Sequence, residues 1–299
     1  MRADRDLLLN GMDKILELSK NEFPAVFPAL LEIPEPPDKL YYRGTLPDNE
    51  TILLAVVGSR KYSSYGKDAC EHIIGGLRGY DITIVSGLAL GIDSIAHRAA
   101  LDAGLTTIAV PGSGLSDEVL YPREHFFLAK EIIGGGGALV SEFEPDFRAT
   151  PYSFPQRNRI MAGLSKAVLI VEAEERSGTL ITARLALDYG RDVFVVPGSI
   201  FSENAKGAHW LIRQGATPIT SALDLLSELG IETETGKESI LPDDITPEER
   251  AVLELLKEPL TRSGIIEKTD MQTEKLNSTL SILEIKGLIK EEGGCFRRC

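Results

Sequence analysis

No window of this chain approaches roughly 18 consecutive apolar residues, so nothing in it reads as a membrane span. Met1 to Asp6 has no long apolar run behind it, and no signal peptide is expected. Cysteine is scarce. Cys70, Cys295 and Cys299 form no CxxC pair and no metal-like spacing, which points to a reducing compartment. His72, His125 and His209 show no ligand spacing either, so no metal site is expected. Two nucleotide fingerprints are missing: there is no G-x-G-x-x-G after the first strand and no G-x-x-x-x-G-K-[ST] anywhere. Positive charge is the minority sign, 32 Lys and Arg against 45 Asp and Glu, and no segment is basic overall. That balance argues against broad attraction to a polyanion, so any nucleic-acid site has to be a focused cluster.

What is present is ordinary for a globular chain of two or three domains: 43% hydrophobic and 26% charged residues over 299 positions. The organising stretch is Ile52 to Val57, an apolar run that reads as a buried parallel strand and ends in Gly58-Ser59-Arg60. Asp68, Ala69, His72, Ile73, Ile74 and Leu77 then recur at helical spacing. A helix opening just beyond a strand offers unpaired N–H groups and a positive dipole end, a natural seat for an anion. Gly58 permits close approach, Ser59 adds a hydroxyl and Arg60 a fork of donors suited to phosphate. An ordinary turn with a surface arginine would read the same way in isolation.

Residues 1–44 read as a helix over the apolar run Leu7 to Leu18, then an extended proline-rich segment, packed on the next domain. Residues 45–230 alternate strands and helices. Candidate strands are 52–57, 81–86, 106–110, 138–141, 167–172 and 192–196, with a short one near 217–220. This order predicts an extended Rossmann-like, doubly wound, mainly parallel α/β sheet with its ligand site beyond the carboxyl ends of the strands. Residues 231–243 read as a linker. Over 244–299, Thr246-Pro247-Glu248-Glu249 starts the first of three helices, which are followed by a hairpin, the plan of a small winged-helix domain. Its third helix carries Lys275 and Lys286 but also Glu274 and Glu284, which makes reading of a DNA groove doubtful.

Several motifs fall at the strand ends. Phe154-Pro155-Gln156-Arg157-Asn158-Arg159 sets an aromatic beside two arginines, the pairing that stacks a base and holds phosphates; a core phenylalanine and an internal ion pair is the bland alternative. Ser177-Gly178-Thr179 opens a helix and is a second candidate anion seat, its loop held by Glu172. Ser86-Gly87 begins a glycine-bounded loop, with Asp93 and His97 read as a buried pair anchoring it.

Together, Val57-Gly58-Ser59-Arg60, Ser86 to Asp93 with His97, Tyr121-Pro122, Ser141-Glu142, Phe154 to Arg159, Val171-Glu172-Ala173, Ser177 to Ala183 and Val196-Pro197-Gly198 resemble the DNA-processing protein DprA (Smf) family across nearly all of 45–220. The resemblance implies a non-enzymatic, cytoplasmic homodimer without cofactor. Such a protein binds single-stranded DNA, protects incoming strands in natural transformation and loads the RecA recombinase. It also implies that Gly58, Ser59 and Arg60 hold phosphates, that Ser86 and Gly87 line the same pocket, that Phe154 meets a base, and that Arg157 and Arg159 complete the groove. Some members carry a lysine shortly before the Phe-Pro step, where this chain has Pro151. The N-terminal segment is shorter than in members with a helical DNA-binding module, so none is expected.

Two other readings compete. Nucleotide phosphoribohydrolases on a related fold place a glutamate in the loop comparable to Ser177–Thr182, where this chain has Thr182, a poor general base. A scaffold whose main partner is protein would also suit the acidic balance.

Overall fold

A computed structural model describes residues 14–232, 245–256, 258–269 and 271–298, and the chain divides into two compact units at 233/234. The first unit opens with β1 (Leu16–Ser19), a helical turn α1 (Phe23–Val26) and β2 (Lys39–Gly44). Strands and helices then alternate as β3 (Ile52–Val57), α2 (Ser64–Gly75), β4 (Ile82–Ser86), α3 (Ile92–Asp102), β5 (Thr107–Ala109), α4 (Phe126–Gly134) and β6 (Ala138–Ser141). After them come α5 (Ser153–Leu164), β7 (Ala167–Ile170), α6 (Gly178–Asp188), β8 (Asp192–Val195), α7 (Lys206–Arg213), β9 (Thr217–Pro218) and α8 (Ala222–Glu228).

Among the described residues these strands form one sheet in the order β1-β2-β6-β5-β4-β3-β7-β8-β9. Every ladder from β6 to β9 is parallel. The chain steps outward from β3 through β4 and β5 to β6, then returns to lay β7 on the other side of β3. That reversal makes β3/β7 the topological switch point, where an open α/β sheet forms a crevice at its carboxyl edge.

Alternation along β3 feeds both faces. Leu54 and Val56 pack with Ile73, Ile74, Ile92 and Ala96 from α2 and α3. Ala55 and Val57 pack with Ile160, Met161, Leu180 and Ala183 from α5 and α6. Two apolar layers therefore clamp one sheet, and the loops above β3 and β7 are held rigidly between helices.

The N-terminal segment departs from expectation. Leu16–Ser19, read as the end of a helix, is a strand; Leu7, Leu8, Leu9 and Met12 lie outside the described residues. Leu16 is exposed and Leu18 buried, and a run this short does not separate a strand period from a helical one. β1 pairs antiparallel with β2, and β2 antiparallel with β6, so this segment extends the sheet rather than packing on it. The proline-rich stretch begins as helical turns over Phe23–Val26 and Pro28–Glu32 and becomes extended only at β2, and Phe23, Phe27, Leu30 and Ile33 sink into the core.

The second unit contains α9 (Pro247–Leu255), β10 (Leu260–Thr261), α10 (Arg262–Lys268), α11 (Thr273–Ile285), β11 (Ile289–Glu292) and β12 (Cys295–Arg298). Thr246 and Glu249 cap α9 reciprocally. The strands pair antiparallel in the order β10-β12-β11 over a core that includes Val252, Leu276, Leu280 and Phe296. Beyond Glu232, the expected linker lies outside the described residues, as does Cys299.

Candidate functional site

Gly58-Ser59-Arg60 leaves β3 beneath the loop that follows β4. Gly91, at φ +89°, crosses so tightly that a Cβ there would sit 2.6 Å from the Arg60 Cα, which only glycine allows. Ile92 N–H donates to the Ser59 carbonyl at 3.2 Å, and Lys61 N–H donates to Ser59 Oγ at 3.0 Å. The upper loop is pinned at three points. Ser86 Oγ donates to the Val56 carbonyl (2.6 Å), Gly87 N–H donates to Asp93 Oδ2 (3.1 Å), and His125 Nδ1 meets the Leu88 carbonyl (2.7 Å). Leu88 itself is held at φ +58°, a left-handed conformation a leucine adopts only when its surroundings impose it.

Asp93 and His97 are both buried, but they do not form the expected pair. Asp93 anchors the loop, whereas His97 Nδ1 lies 2.7 Å from Thr107 Oγ1, one helical turn further along α3. Complete burial, with His125 and Arg157 nearby, drives the His97 pKa down to about 3. The ring therefore stays neutral.

Glu172 also acts elsewhere than expected. Its carboxylate accepts the N–H of Ser63 at 2.9 Å and the Ser63 hydroxyl, and a Cβ on Gly66 would strike it. Ser63 caps α2, so the anion seat at the start of α2 is already filled by Glu172. The Ser177 loop is held instead by its own cap, Thr179 N–H donating to Ser177 Oγ at 3.0 Å. Of the two helix starts at this rim, that of α2 is filled by Glu172, while the start of α6 and the Gly58–Lys61 turn line the cavity.

Two arginines of the Phe-Pro motif diverge. Arg157 is buried, donates to the Val110 carbonyl and presses against Gly87, where a side chain would collide with its guanidinium. Burial lowers its pKa to about 10, opposed by the nearby Asp93. Burial in turn raises the Asp93 pKa, with Arg157 pulling it back. Arg159 points away, donating to the Glu35 carbonyl and pairing with Glu142. Phe154 carries the Arg60 guanidinium over its ring, 5.4 Å from the centroid, and Tyr121 tilts against it at 5.7 Å.

These loops enclose a cavity of about 600 Å³ at the β3/β7 switch point. Gly58, Ser59, Arg60, Asp93, Phe154, Arg157, Asn158, Ser177, Gly178 and Thr179 all line it. Gly87 lines a small adjoining cleft instead. Ser86, His97, Glu172 and Arg159 line neither. Ser86 and Glu172 support the walls, and Arg159 leaves the groove because it stands about 200° around α5 from Arg157 at 3.6 residues per turn. Lys61, Met161 and Glu174 also line the cavity and were missed, and Thr182, named only for the hydrolase reading, joins them. Helical phase could have found two of them: Phe154, Arg157, Asn158 and Met161 recur at i, i+3, i+4 and i+7, and Thr182 follows Gly178 by four. Among the described residues no group of three metal-ligating side chains occurs, and no helix is long and apolar enough to cross a membrane.

An extended, mainly parallel α/β sheet with a polar cavity at its switch point defines a Rossmann-like fold. The model of one family, DNA recombination-mediator protein A, matches residues 14–230. Protein Smf of Escherichia coli is 47% identical over 202 residues, covering 68% of this chain and 54% of that protein. DNA processing protein DprA of Streptococcus pneumoniae is 45% identical over 199 residues, covering 67% and 69%. The chain therefore spans about half the length of the Escherichia coli relative. The X-ray structure of DprA from Streptococcus pneumoniae superposes with TM-score 0.67 at 41% identity, covering 76% of this chain and 78% of that one. A Helicobacter pylori DNA processing protein A structure, which describes a single-stranded DNA binding mode, gives TM-score 0.63 at 30% identity, covering 73% and 96%. The chain belongs to the DNA recombination-mediator protein A family.

Proposed function

We propose that the first unit binds single-stranded DNA in the switch-point cavity without reading its sequence. The observation that carries this reading is the Arg60 guanidinium lying over the Phe154 ring at the cavity wall, cation and aromatic side by side in an otherwise acidic molecule. Phosphates are gripped by the Arg60 and Lys61 side chains and the backbone of Gly58–Arg60 and Ser177-Gly178, while a base stacks at Phe154. Arg157 contributes its charge from below as part of the frame. Cavity walls that close over unpaired bases exclude a duplex.

In this reading the protein works in the cytoplasm as a homodimer that protects incoming strands during natural transformation and passes them to the RecA recombinase. Two pockets on one strand would raise avidity. The second unit is read as a winged helix that faces protein rather than DNA. Lys275 pairs with Glu248 at 2.6 Å and Lys286 with Glu249 at 3.1 Å, so the lysine within α11 and the one just past its end are both engaged by α9. A catalytic role is disfavoured by Thr182, a hydroxyl where a hydrolase of this fold would place a carboxylate. Free adenine released from AMP would reverse that.

Fluorescence anisotropy tests the central reading, with labelled oligo-dT against the matching duplex at low and moderate salt. Tighter binding of the single strand, weakening with salt, is expected. Equal or salt-independent binding would refute it.

A further inference from the structure

The two cations of the Gly58–Lys61 turn are held in different ways. The Arg60 guanidinium rests on the Phe154 ring. Lys61 lines the cavity, and among the described residues its ammonium makes no ion pair, so its reach is set by its backbone. Inside the turn, Lys61 N–H donates to Ser59 Oγ at 3.0 Å, a bond between near neighbours that moves with the turn. The outer hold comes from far along the chain. Asn204 Nδ2 donates to the Lys61 carbonyl at 2.7 Å and reaches Glu172 Oε2 at 3.4 Å. Both partners are acceptors, so the amide nitrogen, not its oxygen, faces them. The same Glu172 carboxylate accepts the N–H and hydroxyl of Ser63, so Asn204 and Glu172 together tie down the exit of the turn.

Asn204 does not itself line the cavity. It stands in a helical turn, Glu203–Ala205, between β8 and α7, and that turn is locked onto the end of β7. Ala173 N–H donates to the Asn204 carbonyl and Gly207 N–H to the Ala173 carbonyl, each at 2.8 Å. Gly207 approaches so closely that a Cβ would sit 2.6 Å from the Glu174 carbonyl oxygen. A fixed platform on the β7 and β8 side of the switch point therefore grips an exposed turn on the β3 side. We propose that Asn204 is a positioning residue for the phosphate grip: it fixes the Lys61 carbonyl, and through it the place where the Lys61 ammonium meets the strand. This deepens the single-strand reading above and rests on it. Without the tether the exposed turn samples more conformations, and ordering it on binding weakens affinity. A donor already in place before the strand arrives removes that loss.

A double-mutant cycle tests the assignment, because a residue that only stabilises the fold does not couple to one particular cation. Anisotropy titrations with labelled oligo-dT over a salt series compare wild type, Asn204→Ala, Lys61→Ala and the double variant, all below the lowest melting midpoint. Asn204→Ala is expected to weaken binding about fivefold, the scale of one hydrogen bond, and to lower the salt slope by up to about 0.7, one phosphate contact. Lys61→Ala should do the same, and the double variant should be no weaker than Lys61→Ala alone. Asn204→Asp keeps the shape but sets a second carboxylate beside Glu172, so it should bind no better than Asn204→Ala. Unchanged affinity in Asn204→Ala, or losses that add in the double variant, would overturn the assignment while the single-strand reading stands. Normal binding by Lys61→Ala or Asn204→Asp would overturn it too. If the wild type binds no oligo-dT, both readings fall together.

Discussion

Two cavities of nearly equal size lie at opposite ends of the same sheet. The one at the carboxyl ends of β3 and β7 measures about 600 Å³ and sets Arg60, Lys61 and Arg157 against Asp93 and Glu174. The other, at the amino ends of β3, β4 and β5, measures about 550 Å³ and has Asp48 and Asp81 but no lysine or arginine in its walls. The direction of the chain accounts for the difference. In a parallel sheet one rim collects strand ends and helix starts, with their N–H groups; the opposite rim collects helix ends, here marked by Gly79, Gly104 and Gly136. Size does not make a polyanion site. Polarity does.

That contrast can be broken or sharpened in four ways. Arg157→Ala should have the largest effect, because it removes a buried guanidinium from a frame that includes Asp93 and Val110. A loss of about 3 kcal/mol in urea unfolding is expected, and an unchanged midpoint would mean the frame is not needed. Acidification comes next. His97 is neutral in the fold, with its pKa lowered from 6.5 to about 3. Between those values the unfolded chain binds a proton that the folded chain refuses, so stability falls as pH drops through that window. About 2 kcal/mol should be lost between pH 7 and 5, and His97→Gln should flatten that part of the slope; equal slopes would contradict the assignment. Arg60→Ala should weaken oligo-dT binding about tenfold with an unaltered melt, and unaltered affinity would mean the cradle is misplaced. Asp81→Asn, at the far cavity, should leave oligo-dT affinity within about twofold of wild type if only the carboxyl rim holds DNA. A larger gain would show that the two ends are not independent.

Much of this plan was legible in the residues. Six strands, β3 to β8, fell where apolar runs placed them, because parallel strands buried on both faces leave an unbroken signal, and the short, half-exposed β9 lies within the expected 217–220. The antiparallel strands β1 and β2 were not legible. A four-residue run such as Leu16–Ser19 fits either period, and only pairing with β2 and β6 makes it a strand. The loops named from sequence meet at one cavity, but the direction of each side chain was not legible. Glu172 and Ser177 are close in sequence, yet Glu172 turns to Ser63, more than a hundred residues earlier. Arg157 and Arg159 look equivalent until helical phase sends one toward the cavity and the other toward Glu142. Such choices are tertiary. Local propensity does not encode them.

The central claim is that unpaired DNA lies in the cationic cavity above β3 and β7. Photo-crosslinking of a bromodeoxyuridine-substituted oligonucleotide, mapped by mass spectrometry of the digested complex, tests it most directly. Adducts are predicted on peptides containing Arg60, Tyr121 or Phe154; adducts confined to the second unit, or to the amino-end rim around Asp48 and Tyr80, would contradict it.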